Sequence, residues 1–535
     1  MIHKIRGLVI PTLFLLTFAV GLGALTYPVL WWVAAATGAL SLLGVYDVVQ
    51  PRHSILRNYP VLGHLRFLLE DFGPELHQYI VESNTMGAPF NRDRRSLMYA
   101  RAKGDVDKKA FGTELNVYGQ GYVWLTHSIS PKPMPKDPVA HLRIDLGGPA
   151  CTQPYSASIY NISAMSFGSL SANAVLALNE GARRGDFAHN TGEGGLSRYH
   201  RQPGGNLVWQ VGTGYFGCRN EDGTFSAERF AETAATEVVR AIEIKISQGA
   251  KPGHGGILPG GKVTAEIAEA RGVPIGQDCL SPSGHSAFGT PIELLEFVAK
   301  LRELSGGKPI GFKLCVGRPE ELFAICKAMV ETELLPDFIV VDGAEGGTGA
   351  APIEFSDHLG TPLKEGLLLV HNALEGIAVR DKIKVGASGK LTSAFEMAGA
   401  LALGADWCNS ARGFMFALGC IQAQSCHTNT CPVGVTTQDK SLARALVPAD
   451  KATRVHNYHA NTIHALAEVL GAAGLSHPSE LRPRHIVQRL SPNHVETYDQ
   501  LYEHFETGQL LEGRASTALQ RFWDLASPKS FQIEA

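Results

Sequence analysis

The chain has 535 residues, room for more than one domain at roughly 100–200 residues each, and its 44% apolar content excludes a disordered polymer. Forty-eight Lys and Arg against 51 Asp and Glu leave a net charge of −3, which excludes the basic footprint of a nucleic-acid binder. Nine cysteines in so long a chain fit a reducing compartment rather than a disulfide scaffold, and 58 aperiodic glycines, about 11% against a usual ~7%, imply many tight backbone positions.

Positions 7 to 46 carry no charge at all. The run divides at Thr26-Tyr27-Pro28 into two segments of membrane-spanning size, with Trp31 and Trp32 near one interface. A transmembrane helical hairpin over residues 1–50 is the expectation. A cleaved signal peptide followed by a buried helix is the alternative, disfavoured because the second apolar segment follows at once and no small-x-small cleavage site intervenes. Lys4 and Arg6 before the run, with Arg52 and Arg57 after it, place both ends in the cytoplasm. The protein is therefore expected in the inner (cytoplasmic) membrane with its catalytic domain in the cytoplasm.

Residues 51–140 read as a cytoplasmic connecting region, with a helix-like stretch at His64–Phe72 and a basic patch at Arg92–Arg95. It closes at the stiff cluster Pro131, Pro133, Pro135 and Pro138. From about 141 to 445, short β-branched runs alternate with helical patterns, the signature of βα units. The runs are Ser158–Ala164, Asp186–Asn190, Ile242–Ile246, Gly276–Leu280, Pro309–Val316, Asp337–Val341, Ile383–Ala387 and Asp406–Asn409. Eight of them suit an α/β fold of the (β/α)8 TIM-barrel type. Ser169 or Ser171 caps a helix over Ala172–Arg184 ended by Gly185, and Thr392 or Ser393 caps one ended by Gly404. Residues 191–240 are expected to hold an inserted loop or hairpin. Residues 446–535 form a helical C-terminal tail, with Val455, Tyr458, Thr462, Leu466 and Val469 on one stripe.

Reactive groups in such a barrel lie at the C-terminal ends of its strands. The loops Gly386-Ala387-Ser388-Gly389-Lys390 and Asn409-Ser410-Ala411-Arg412-Gly413 could bring backbone N–H groups to a phosphate, or be ordinary tight turns. The glycine-rich Asp342–Gly349 allows close approach to a flat ligand. Lys245 and Lys313 sit in apolar runs, where an ammonium needs an anion, a structural carboxylate or an electron-rich ring. Lys251 is the cation best placed for a dicarboxylate, and Glu193 could position a nitrogen nucleophile or relay a proton. Gly212-Thr213-Gly214-Tyr215-Phe216-Gly217 matches a dinucleotide fingerprint in letters, but turn-forming residues follow it instead of a helix, so no NAD(P) site is expected. Cys420, Cys426 and Cys431-Pro432 lie in one short loop. Iron–sulfur ligation fits this spacing; zinc would need a fourth ligand, with only His427 adjacent, and three incidental cysteines remain open.

Together these stretches resemble the FMN-binding synthase domain of glutamate synthases: Ile162–Gly168 (ISAMSFG), Asn190–Gly195 (NTGEGG), Glu243–Gly253 (EIKISQGAKPG), Leu258–Gly260, Gly346–Ala350 (GGTGA) and Leu418–Gln438 (LGCIQAQSCHTNTCPVGVTTQ). The resemblance implies an FMN barrel with a three-iron (3Fe-4S) cluster on Cys420, Cys426 and Cys431. It implies that Ala164, Met165, Ser166, Lys313, Gly346, Gly347, Thr348, Gly389, Ser410 and Arg412 surround FMN, while Lys251, Gln248 and Glu193 face a 2-oxo acid. Lys245, Gly386 and Ser388 join the cofactor candidates from their positions in the runs and loops above. The implied reaction is reductive amination of 2-oxoglutarate by free or partner-supplied ammonia, with electrons from an unidentified donor protein or quinone. An FMN dehydrogenase that oxidises an amino or hydroxy acid and passes electrons to quinone is a second reading, and a non-enzymatic flavin-binding membrane scaffold a third. The family's GEGGQLPG reads GHGGILPG at Gly253–Gly260, and no cysteine precedes Cys151 to serve as a glutaminase nucleophile.

Overall fold

The structure is a computed structural model that describes residues 7–532; Lys4 and Arg6 of the orientation argument lie outside the described residues. The chain forms two compact units, one up to Asp93 and one from Arg94. In the first, helices α1 (Val9–Ala24) and α2 (Leu30–Val49) are separated by a turn containing Thr26-Tyr27-Pro28. Thr17 Oγ1 lies 3.3 Å from Ser41 Oγ, and Gly44 faces Ile10, so the pair is an antiparallel hairpin.

Length distinguishes the two helices. The 20 residues of α2 suffice to cross a hydrocarbon core of about 30 Å at about 1.5 Å per residue, whereas the 16 of α1 fall short. The expected helical hairpin thus pairs one helix of spanning length with a shorter apolar partner. Helix α3 (Leu62–Leu76) covers the His64–Phe72 stretch and runs into a π-type turn, His77–Val81.

The second unit is built on a closed eight-stranded parallel barrel: β1 (Tyr160–Ile162), β2 (His189–Asn190), β3 (Leu207–Val211), β4 (Val239–Lys245), β5 (Ile310–Leu314), β6 (Phe338–Asp342), β7 (Lys384–Ser388) and β8 (Trp407–Ser410). β8 closes onto β1 through Asn409↔Asn161. Two strand expectations are corrected. Gly276–Leu280 lies outside the barrel: Gly276 has φ +72° and only Cys279–Leu280 pairs, antiparallel, with Ile257–Leu258. The missing strand is β3, in the stretch read as an insertion, so Ile242–Ile246 belongs to the fourth strand. Its five residues between Gly205-Asn206 and Gly212 are too short for a clear periodic signal, yet Leu207, Trp209 and Val211 are fully buried.

Helix α4 (Ala172–Gly185) starts at Ser171, whose side chain accepts from Ala174 N; Asp186, at φ +48°, takes the left-handed cap expected of Gly185. Helix α5 (Ala394–Ala402) opens on a capping box between Ser393 and Glu396, and α6 (Arg412–Leu418) follows β8 directly. The tail helix α7 (Pro448–Ala472) buries the expected Val455, Tyr458, Thr462 and Leu466 and packs on α4. Ser128 and Lys132, beside the proline cluster, donate their N–H groups to Ala472 O and Gly471 O at the end of α7. Beyond α7 the tail also contains an antiparallel hairpin, Ile486–Ser491 with His494–Thr497, whose first strand pairs with Val123–Leu125.

His459 ties α7 to the barrel. Its Nε2 lies 2.9 Å from Ser158 Oγ and its ring stacks on Phe187 at 3.9 Å. Burial, reinforced by His456, drops its pKa to about 3 from 6.5. Between those values the unfolded chain binds a proton that the folded chain does not, so stability is lost as pH falls below about 6.5. His459→Gln is expected to remove about 1.4 kcal/mol per pH unit from the dependence of urea-unfolding free energy between about pH 6.5 and 5. Identical slopes for the two proteins would contradict this account.

Candidate active site at the C-terminal ends of the barrel strands

Alternation along each strand turns polar side chains into the barrel mouth. Glu243 of β4 accepts from Asn190 Nδ2 at 2.9 Å and Gln210 Nε2 at 2.6 Å. Burial raises its pKa despite the opposing pull of Lys313. Lys313 of β5 lies 3.3 Å from Asp342 Oδ1 at the end of β6, and the other Asp342 oxygen accepts from Gly249 N at 2.8 Å. Lys245 meets Glu193 at 2.9 Å. Both interior lysines therefore have carboxylate partners, which offsets much of the desolvation of each charge.

Burial alone would raise the Glu193 pKa, but Lys245, Arg271 and Lys251 outweigh it and hold the carboxyl below its ordinary value. Lys251 is 7% exposed, and its ammonium bonds to no side chain or carbonyl among the described residues. Its burial, reinforced by Lys245 and opposed by Glu193, lowers its pKa. Beside it opens a polar cleft lined by Glu193, Thr213, Lys245, Gln248, His254 and Ser283. An ammonium with no bonded partner among the described residues thus lies near a cleft whose wall carries the Glu193–Lys245 pair.

A second group is joined through Arg412, at the start of α6. Its Nη2 donates to Thr348 O at 2.6 Å, and its Nη1 lies 3.8 Å from Cys426 Sγ. Gln248 Nε2 reaches Thr348 Oγ1 at 3.4 Å. Gln248, Thr348, Arg412 and Cys426 thus form a continuous path from the cleft, across the glycine-rich loop of Gly346 and Gly347, to the cysteine loop. Ser163 Oγ and Ser388 Oγ are 3.3 Å apart at the ends of β1 and β7, and Ser163 N donates to Ser410 O.

Met165 and Ser166 are buried in the loop after β1, following Ala164. Ser166 Oγ bonds to Ser169 at 3.1 Å and receives Arg271 at 3.5 Å. Gly389 has φ +153°, within the region open to glycine. Gly386 stands apart from these loops: a Cβ there would collide with the Trp407 indole, so its smallness serves the packing of β7 against β8.

The cysteine loop carries its own cations. Lys262 Nζ donates to Cys426 O at 2.9 Å and Thr436 O at 3.2 Å, and Tyr99 donates to Cys420 O at 2.5 Å. Burial raises the Cys420 pKa, with Gln422 and Arg412 opposing. For Cys431 burial is outweighed by donors that include the amides of Val433, Val435 and Thr436, and its pKa is lowered. Among the described residues no three His, Cys, Asp or Glu side chains converge on a single metal ion. The three thiols are near enough to influence one another's charge, an arrangement that suits a cluster in which each thiolate takes its own iron. With Arg412 and Lys262 beside them, the donor set fits an anionic iron–sulfur cluster. Lys313, the three serine hydroxyls and the glycine-rich rim likewise fit a flavin and its phosphate.

Asp342 and Glu243 entered the sequence reading only as the ends of longer stretches with no role of their own, and Arg271 and Lys262 did not enter it. Glu243 alternates in phase with Lys245, a signal that could have placed it in the interior; Lys262 carries no local signal, because its partners are distant carbonyls.

A family profile described as the conserved region in glutamate synthase matches residues 154–476, more than half the chain. The glutamate synthase large subunit-like protein YerD of Bacillus subtilis is 36% identical over 92% of this chain and 98% of its own length. The archaeal-type glutamate synthase [NADPH] of Thermotoga neapolitana is also 36% identical, over 60% of each chain. The archaeal glutamate synthase [NADPH] of Methanocaldococcus jannaschii gives the same identity and coverage. The present chain therefore spans about three fifths of the length of the two latter relatives.

Asp342→Asn keeps an acceptor for Gly249 N but takes from the buried Lys313 the carboxylate it pairs with at 3.3 Å, leaving only the pull of Glu243. A loss of about 3–5 kcal/mol in urea-unfolding free energy is expected, with most of it regained in Lys313→Met/Asp342→Asn. A double variant no more stable than Asp342→Asn would contradict the pairing.

Proposed function

The chain belongs to the glutamate synthase family, and on that premise we propose that it is an oxidoreductase that converts 2-oxoglutarate and ammonia to glutamate. The observation that carries the reading is the path from Gln248, on the cleft wall, through Thr348 and Arg412 to Cys426 in the thiol loop. Bound FMN would supply the hydride, with an iron–sulfur cluster supplying single electrons. Ammonia adds to the 2-oxo carbon and water leaves; hydride plus a proton then completes the amino acid.

The protein's part is positioning and charge. Lys251 binds a substrate carboxylate, for which its ammonium has no competing partner among the described residues. Glu193, kept ionised by Lys245, holds the nitrogen nucleophile and takes a proton at its carboxylate. Gln248 orients the substrate against the Thr348 loop. Arg412 and Lys262 balance the negative charge of thiolates on Cys420, Cys426 and Cys431. The apolar helix α2 tethers the enzyme to a membrane.

Mixing anaerobically reduced protein with 2-oxoglutarate and ammonium should reoxidise the flavin. No reoxidation, together with flavin reduction by an amino or hydroxy acid, would overturn this direction in favour of a dehydrogenase. Lys251→Met should lower the second-order rate constant for the oxo acid about 10–150-fold, the value of a charge-assisted hydrogen bond of about 1.5–3 kcal/mol; an unchanged constant would remove Lys251 from the site. Cys426→Ala should abolish the iron–sulfur signal and leave flavin bound, and unchanged iron content would refute the ligand assignment.

A further inference from the structure

Helix α3 carries an apolar stripe that stands exposed among the described residues. Leu62, Leu65, Leu69, Phe72 and Leu76 recur at spacings of three and four, and each is between 45% and 59% exposed. Leu68 and Ile80 widen the stripe, while Arg66, Glu70 and Asp71 occupy the other side. This is the pattern of a helix with one face in an apolar medium.

The start of α3 is fixed to the end of the spanning-length helix. Asp47 of α2 is fully buried, accepts from Val61 N at 2.8 Å and lies 2.9 Å from His64 Nε2. The Val61 side chain lies against Gly44, one turn further into α2. A carboxylate at the end of an apolar helix is costly without such partners, so the clamp persists when α2 is in a bilayer. It holds the first turn of α3 at the level where the apolar length of α2 ends.

We propose that Leu62–Val81 lies along the phospholipid bilayer, with its apolar stripe at the boundary between headgroups and acyl chains. This rests on the membrane reading of α2. A second copy of the chain is the competing occupant, because the 3,4 spacing is also that of a coiled-coil seam. The seam is less than three heptads long, contains Pro74 and ends in the π-type turn His77–Val81, and each of these disrupts a supercoil. The polar side, with Arg66 paired to Glu70 and with Asp71 and Glu75 unmatched on the helix, has no attraction for anionic lipid. Apolar burial alone must hold it, so neutral phosphatidylcholine suffices.

The full chain, reconstituted in phosphatidylcholine vesicles, is tested with the photo-crosslinking residue benzoylphenylalanine at Leu69, Phe72, Asp71 or Trp32, one position at a time. Lipid adducts at Leu69, Phe72 and Trp32 but not at Asp71 are the expected result. Chain-to-chain products of doubled mass at Leu69 and Phe72 would overturn the proposal in favour of a second copy. Lipid adducts at Trp32 with none at Leu69 or Phe72 would overturn it while leaving α2 in the membrane. No lipid adduct at Trp32 would overturn the membrane reading and this proposal together.

Discussion

The candidate site depends on one guanidinium. Arg412 follows the last barrel strand, and its planar fork bonds Thr348 O while facing Cys426 Sγ. A lysine has a single point of charge and could not serve both directions at fixed geometry. The position of the fork is set by barrel closure, since β8 is held by β7 on one side and β1 on the other. The long-range event that closes the barrel, the meeting of β8 with β1, therefore also brings the glycine-rich loop to the cysteine loop.

Charge balance inside the barrel is the second constraint. Lys313 with Asp342, and Lys245 with Glu193, are internal pairs that would be costly to break. Lys251 is the exception in that neighbourhood, buried among charges and bonded to none of the described groups. An enzyme can retain such a group where a substrate anion completes the balance, and the adjoining cleft gives that anion a place. The departure from the family motif falls here too: His254, on the cleft wall, bonds Gly255 O at 2.8 Å and sets its ring edge-on to Phe355.

How much was legible in the sequence follows from the range of the interactions. The barrel was readable because short runs, most of them β-branched, alternate with helical patterns at seven of its strands, and α4 and α5 because Ser171 and Ser393 cap them within three residues. β3 was not, because Leu207–Val211 is short and its identity as a strand comes from pairing with β2 and β4. The cysteines, Lys245 and Lys313 were found from composition in context, and Glu193 and Lys251 from their glycine-rich loops. Their partners were hidden: Asp342 is 29 residues from Lys313, and the carbonyls held by Lys262 are 164 and 174 residues away. Asp186 shows the converse, a capping position assigned to the neighbouring glycine because left-handed backbone is ordinarily glycine's.

The central claim is that Arg412 couples the glycine-rich loop, the proposed flavin rim, to the cysteine loop, and Arg412→Lys tests it most directly. Bound FMN and iron per chain would be measured on the intact variant beside the parent protein, with thermal unfolding as a control for the fold. The account predicts that both contents fall together while the barrel still unfolds cooperatively. Full FMN and full iron in the variant, or a fall in one with the other unchanged, would contradict it.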